Sequence, residues 1–297
     1  MTGELIALAS AALYALGGVA IARGAAEGRG GDNGAFLSVI LTAVLSLGLW
    51  LAAGAPAVTA APGGSVWRGV ALFVAAGVFS TVLGRIAMFR AVARGGAVRA
   101  SMLRRLTPVF AAVGAALLLS EVPGWGGLTG MALILGGTAM LGGPGGPQVT
   151  RPGWATWGIG SAAAYGFSYV LRKMALAQMP AAIPGALIGA LTGLAWYVLA
   201  APASRQMRGA VTGVLRHTGP WQFVAASAIA MGQIGQFLAL SRTSVATVAV
   251  LGSAETLISI MLASRVFRTE PIPRPLVWAG AAFSTAGIVL VAVKGGT

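Results

Sequence analysis

A chain of 297 residues that is 57% hydrophobic and 9% charged, with a mean hydropathy of +0.85, has too few polar side chains to cover a water-facing surface. Its main solvent must be lipid. The net charge of +14 does not indicate nucleic acid, because the basic residues stand singly or in pairs between apolar runs, with no basic stripe interleaved with aromatics. With no Cys there is no disulfide framework and no thiol nucleophile.

A membrane helix needs about 20 apolar residues, and the chain offers ten such runs in order. The first is Gly3–Ala22; Met1–Leu5 carries no basic n-region, so it reads as a retained span rather than a cleaved signal. The second is Ala35–Ala53, after a polar turn holding Arg23, Glu27, Arg29 and Asp32. The third runs from Val66 to Val92 and ends at Gly95-Gly96. The fourth is Ala97–Ser120 and the fifth Gly124–Leu141. Gly142 to Pro147 cannot hold a helix and reads as a linker. The sixth span is Gly153–Ala175, the seventh Ile183–Ala200, the eighth Pro220–Ser241, the ninth Val245–Phe267 and the tenth Pro275–Val293. Pro202–Gly219, with Arg205, Arg208, Arg216 and His217, is expected to be a polar loop.

The ten runs fall into two units. Ser10-Ala11-Ala12-Leu13-Tyr14 returns as Ser161-Ala162-Ala163-Ala164-Tyr165. Phe89, Ala91 and Arg94 match Phe237, Ala239 and Arg242. Glu121, Gly130 and Gly137 match Glu270, Gly280 and Gly287. These blocks keep their order at offsets of roughly 150 residues, the length of one unit. The expected organisation is residues 1–142, a linker 143–152, and residues 153–297. An odd number of spans per unit forces the second to enter the membrane from the opposite side. The fold expected is therefore an all-α integral membrane protein of ten helices in two inverted five-helix repeats, with a polar site near the midplane between them.

Several polar groups fall inside the runs. Glu255 lies in the ninth, and a carboxylate there needs a partner, a proton or a water-filled cavity. Arg104 and Arg105 lie in the fourth, its repeat counterpart. Arg85 lies in the third, with Gln233 as its counterpart in the eighth; Gln236 shares a helix face with Gln233. The functional reading makes these a cavity lining for zwitterionic or polar solutes. The structural reading lets Glu255 neutralise an Arg, and Arg85 snorkel with Arg90 and Arg94 to the interface, which is slightly favoured for Arg85. Tyr14, Tyr165 and Tyr169 are cavity candidates or ordinary packing tyrosines. Ser80 and Ser253 are candidates too, with helix-packing hydroxyls as the alternative. Pro108 frees a backbone carbonyl and marks a possible hinge. Gly126 with Gly130, and Gly280 with Ser284, suit close helix contacts.

Enzyme chemistry finds no footing. Asp32 and His217 are the only residues of their types, and there is no metal-ligand cluster, cofactor motif or P-loop. The lack of a nucleotide motif argues against a self-contained ATP-driven pump, so any active transport is secondary or takes its energy from another chain.

The paired Ser-Ala-Ala-x-Tyr phrases, Thr107-Pro108, Ser120-Glu121 followed by Trp125-Gly126, Gly130 and Gly136-Gly137, and Arg268-Thr269-Glu270 followed by Gly280 and Gly287, resemble the EamA-type transporters of the drug/metabolite transporter superfamily. The resemblance covers nearly the whole chain in two copies. It implies a ten-helix carrier of the inner (plasma) membrane whose first, third, fourth, sixth, eighth and ninth helices surround a central cavity. Amino-acid exporters of the YddG type are similar in size and layout; other members carry sugar phosphates, nucleotide sugars, nucleobases or drugs. The chain departs from the pattern at Glu255, where many members have a nearby Pro. The family orientation, with both termini cytoplasmic, conflicts with the basic residues: eleven lie in or near the odd-numbered connections and five near the even-numbered ones and the C-terminus.

The expected function is secondary export of a small-molecule substrate, amino acids first, by alternating access. An uncoupled channel or a membrane-embedded structural partner are the rivals. The lipid bilayer is the one expected partner besides substrate, and a monomer contains both members of the inverted pair.

Overall fold

The computed structural model describes residues 2–28, 32–119, 124–140, 151–242, 248, 251–252, 254–269, 272 and 274–294. The helices are α1 (Thr2–Ala26), α2 (Ala35–Ala52), α3 (Val66–Gly95), α4 (Ala97–Arg104), α5 (Thr107–Leu119), α6 (Trp125–Ala139), α7 (Trp154–Gln178), α8 (Ala182–Ala200), α9 (Arg205–Thr212), α10 (Val214–His217), α11 (Pro220–Leu240), α12 (Ala254–Met261) and α13 (Pro275–Lys294). No strand occurs among the described residues. Among the described residues, six segments are long and apolar enough to cross a membrane: α1, α2, α3, the joined α4–α5 stretch Ala97–Leu118, α8 and α11. The linker Gly142–Pro147 and the repeat markers Glu121 and Glu270 lie outside the described residues.

The breaks have local causes. Gly96, at φ 85°, separates α3 from α4. Inside α3 the segment Val78–Gly84 winds as a π-helix, a form often found at functional positions, and it delivers Ser80 and Arg85. Between α4 and α5 the turn tightens: the Arg105 and Leu106 amides bond the carbonyls three residues back. Pro108 is the second residue of α5, a position that tolerates its missing N–H. One expectation fails at Pro202–Gly219, which folds into α9 and α10 instead of a loop. Ser204 caps α9 by accepting from the Met207 amide at 3.4 Å. Met207, Val211 and Val214 recur at helical spacing, a stripe that packs against Phe36 and Tyr197.

Helices of the two halves interleave. α1 lies along α11, and α3 along α7. α2 touches α11, while α8 touches α3. α5 packs on α7, and α12 on α1. α2 meets α8, α4 meets α12, and α6 lies along α13. Exchanging first-half for second-half helices turns each contact into another of the set. The α6–α13 contact shows this at residue level. A Cβ on Gly137 would stand 2.5 Å from the Gly280 carbonyl, and one on Gly287 would stand 2.5 Å from the Gly130 carbonyl. The backbones thus approach through small residues, as lipid-embedded helices do.

Connections also sort. Gln222, at the start of α11, donates to the Gly24 carbonyl at 3.1 Å and to Asn33 at 3.3 Å. Arg23 donates to the Phe267 carbonyl at 2.8 Å and covers the Trp221 ring. The segment between α2 and α3 meets the far end of α7 instead, where the Ala61 amide bonds the Gln178 carbonyl at 2.9 Å.

Candidate functional site

The site is built where the halves cross. Arg104 ends α4, and its Nη1 meets Glu255 Oε1, in the first turn of α12, at 2.8 Å. The two side chains are 11% and 13% exposed. Two aromatic rings lie against the guanidinium, Tyr14 of α1 at 4.8 Å and Tyr165 of α7 at 5.3 Å from their centroids. Each ring contributes cation–π attraction of about 0.5–2 kcal/mol. The two tyrosines reach this place by the same route. Tyr14 packs against Gly232 of α11, and Tyr165 against Gly84 of α3, where a Cβ would come within 3.4 and 3.2 Å of the rings. A methyl fits against the Tyr14 ring at Gly232, while at Gly84 the Tyr165 ring would have to give by a few tenths of an ångström.

Arg105 takes other hydrogen-bond partners. Its Nε donates to Thr256 at 3.0 Å, and its Nη1 to the Ala281 carbonyl and Thr285 hydroxyl of α13, each at 2.7 Å. Arg85 is fully buried rather than snorkelling. It donates to Ser38 at 3.0 Å, to Thr42 at 3.2 Å and to Gln233, all neutral acceptors. The apolar stretch beyond Arg85 is too well packed to let the guanidinium climb to the interface: Met88, Phe89 and Val92 are all buried. Ser80 is buried and donates back to the Ala76 carbonyl at 2.8 Å, the packing role of a span hydroxyl. Gln236 turns from Gln233 toward α7, donating to the Tyr169 hydroxyl and accepting from Arg172 at 3.3 Å. Ser253 lies outside the described residues.

Arg172 is the residue that a linear reading misplaces at a helix end. It is fully buried on α7, 4.2 Å over the Phe237 ring and 5.8 Å over Tyr169. The signal was there in the spacing: Tyr165, Tyr169 and Arg172 stand at i, i+4 and i+7 and share one helix face. Removing Arg172 from the interfacial charges widens the imbalance between odd- and even-numbered connections.

The contacts of the crossing have a common sequence separation. Arg104 to Glu255 and Arg105 to Thr256 each span 151 residues, and Arg85 to Gln233 spans 148. These separations match the offset of roughly 150 residues between the paired sequence phrases.

Residues 1–143 match the EamA-like transporter family. This EamA-like half contains α1 to α6, with Tyr14, Arg85, Arg104 and Arg105. With six helices of membrane-crossing length and composition, the chain is a multi-pass membrane protein. No curated relative matches it. A crystal structure of a protein, described without a function, superposes with a TM-score of 0.60 at 15% identity, over 99% of this chain and 99% of that one. That likeness speaks for the fold alone.

A second feature is a groove of about 710 Å³ between α12 and α13, lined by Leu257, Trp278, Val289 and Leu290 with Thr285. Its lining offers a polar solute little beyond Thr285, so it is not the candidate site.

Proposed function

We propose that the whole chain is an EamA-type secondary carrier of the inner membrane, two inverted five-helix repeats that export small metabolites, amino acids first, by alternating access. The observation that carries the reading is the Arg104–Glu255 pair, held against Tyr14 and Tyr165 where the halves cross. The match of residues 1–143 and the exchange of contacts between halves support the repeat. So does the meeting of odd-numbered connections with odd ones, as Gln222 with Gly24, and of even with even, as Ala61 with Gln178.

The chemistry follows from the pair. A buried acid and base satisfy each other while the site is empty. The ammonium of an amino acid can replace Arg104 at Glu255, while Arg104 keeps its two tyrosine rings, so substrate entry opens the pair. Because Arg104 belongs to α4 and Glu255 to α12, opening it frees the first half to rock against the second. The turn at Arg105–Leu106, next to Pro108, is where the first half would bend.

The test is flux in proteoliposomes with a panel of amino acids. Saturable uptake of at least one is expected, and no saturable flux of any of them sinks the substrate claim. If sugar phosphates, nucleobases or drugs are carried instead, the carrier stands and its substrate class changes.

A further inference from the structure

We propose that Arg172 is an oxyanion receptor, taking a carboxylate or phosphate group of the substrate on one edge of its guanidinium; this rests on the carrier reading above. Arg172 is fully buried. Its Nη1 donates to Gln236, a neutral acceptor, at 3.3 Å. Its Nε and Nη2 have no hydrogen-bond partner among the described residues. These two N–H groups are not scattered: they lie side by side on the outer edge of the planar group, the pair that grips both oxygens of a carboxylate at once. Tyr14, Tyr165, Tyr169 and a second cation, Arg85, act on it electrostatically.

A cation in a membrane interior, with a like charge near it and two of its three nitrogens idle, is not explained by packing, since buried charges are ordinarily paired. Glu255 does not complete it, because that carboxylate is held by Arg104. Tyr169 adds a second donor. Its oxygen accepts from Gln236, which leaves its own hydrogen to give, and its side chain is partly exposed. Arg172 thus offers two side-by-side donors to one oxyanion, Tyr169 stands next to it through Gln236, and Gln236 fixes both. For an amino acid this assigns the carboxylate to α7 and leaves Glu255 for the ammonium.

The experiment measures the melting temperature of the purified full chain in detergent with 10 mM alanine, glutamate, glycerol 3-phosphate or alaninamide, in the native protein and in Arg172→Met and Arg172→Lys. At least one oxyanion is expected to stabilise the native chain by roughly 2–4 °C, with no effect from alaninamide. Alanine and glutamate against glycerol 3-phosphate decide between carboxylate and phosphate. Arg172→Met is expected to raise the ligand-free melting temperature, since it removes an uncompensated charge, and to abolish the response. Arg172→Lys keeps the charge without the fork and is expected to weaken the response tenfold or more. The proposal is overturned if no oxyanion shifts the native chain, or if Arg172→Lys responds as the native chain does. Binding through Arg172 without any flux would instead overturn the carrier reading and leave the receptor standing.

Discussion

Replacing Glu255 with Gln tests the crossing of the halves directly. The substitution keeps shape and one hydrogen-bond acceptor but leaves Arg104 without its counter-charge. At 2.8 Å the gross attraction is several kcal/mol even at an effective dielectric of about 20. Breaking a buried pair costs about 3–5 kcal/mol because the surviving charge is stranded. Here both side chains are a little over a tenth exposed, and Arg104 keeps its two tyrosine rings. The expected loss is therefore nearer 2–3 kcal/mol, a fall of roughly 4–10 °C in melting temperature. Arg104→Gln should cost a similar amount. The double substitution should cost clearly less than the two singles together, with a coupling of about 1.5 kcal/mol or more. Thermal unfolding of the four proteins in one detergent provides the cycle. Additivity within about 0.5 kcal/mol would refute the claim that the pair is a single electrostatic unit.

Other predictions concern the frame around it. Gly137→Ala places a methyl 2.5 Å from the Gly280 carbonyl, where backbone cannot yield, and should destabilise by about 1–3 kcal/mol, whereas Gly136→Ala, with nothing within 4 Å, should be neutral; chemical denaturation separates them. Tyr165→Phe should leave stability nearly unchanged because the ring over Arg104 remains, while Tyr165→Ala should lose several degrees of melting temperature. Asp32, in the connection between α1 and α2, accepts from the Phe36 amide at 2.6 Å and the Gly34 amide at 3.2 Å, yet burial raises its carboxyl above the ordinary 3.8. The folded chain then holds this proton to higher pH than the unfolded chain. Its contribution to stability is present below 3.8 and is lost as pH rises through the raised value. Asp32→Asn should flatten that part of the melting-temperature profile.

The membrane helices were legible because each is an apolar run with punctuation the chain states openly, such as Gly95-Gly96. The partners of the buried charges were legible for a different reason. The matching phrases of the two halves paired Arg85 with Gln233 by offset and set Glu255 in the span opposite Arg104 and Arg105, without choosing between them. The tyrosine motif was readable as architecture, but its part in holding Arg104 was not. That depends in part on Gly84, whose meaning is what it leaves room for. Arg172 escaped because two basic residues near a run's end look interfacial, and only the helical face shared with Tyr165 and Tyr169 turns it inward. The α9 stripe was masked by charge: Arg205 and Arg208 made an amphipathic helix read as a loop.

Counterflow in proteoliposomes tests the central claim most directly. Vesicles preloaded with an unlabelled amino acid should take up the same labelled amino acid several-fold faster than empty vesicles, and Glu255→Gln should reduce or reshape that exchange. Equal uptake into loaded and empty vesicles, or unchanged exchange in a normally folded Glu255→Gln protein, would contradict alternating access through the Arg104–Glu255 crossing.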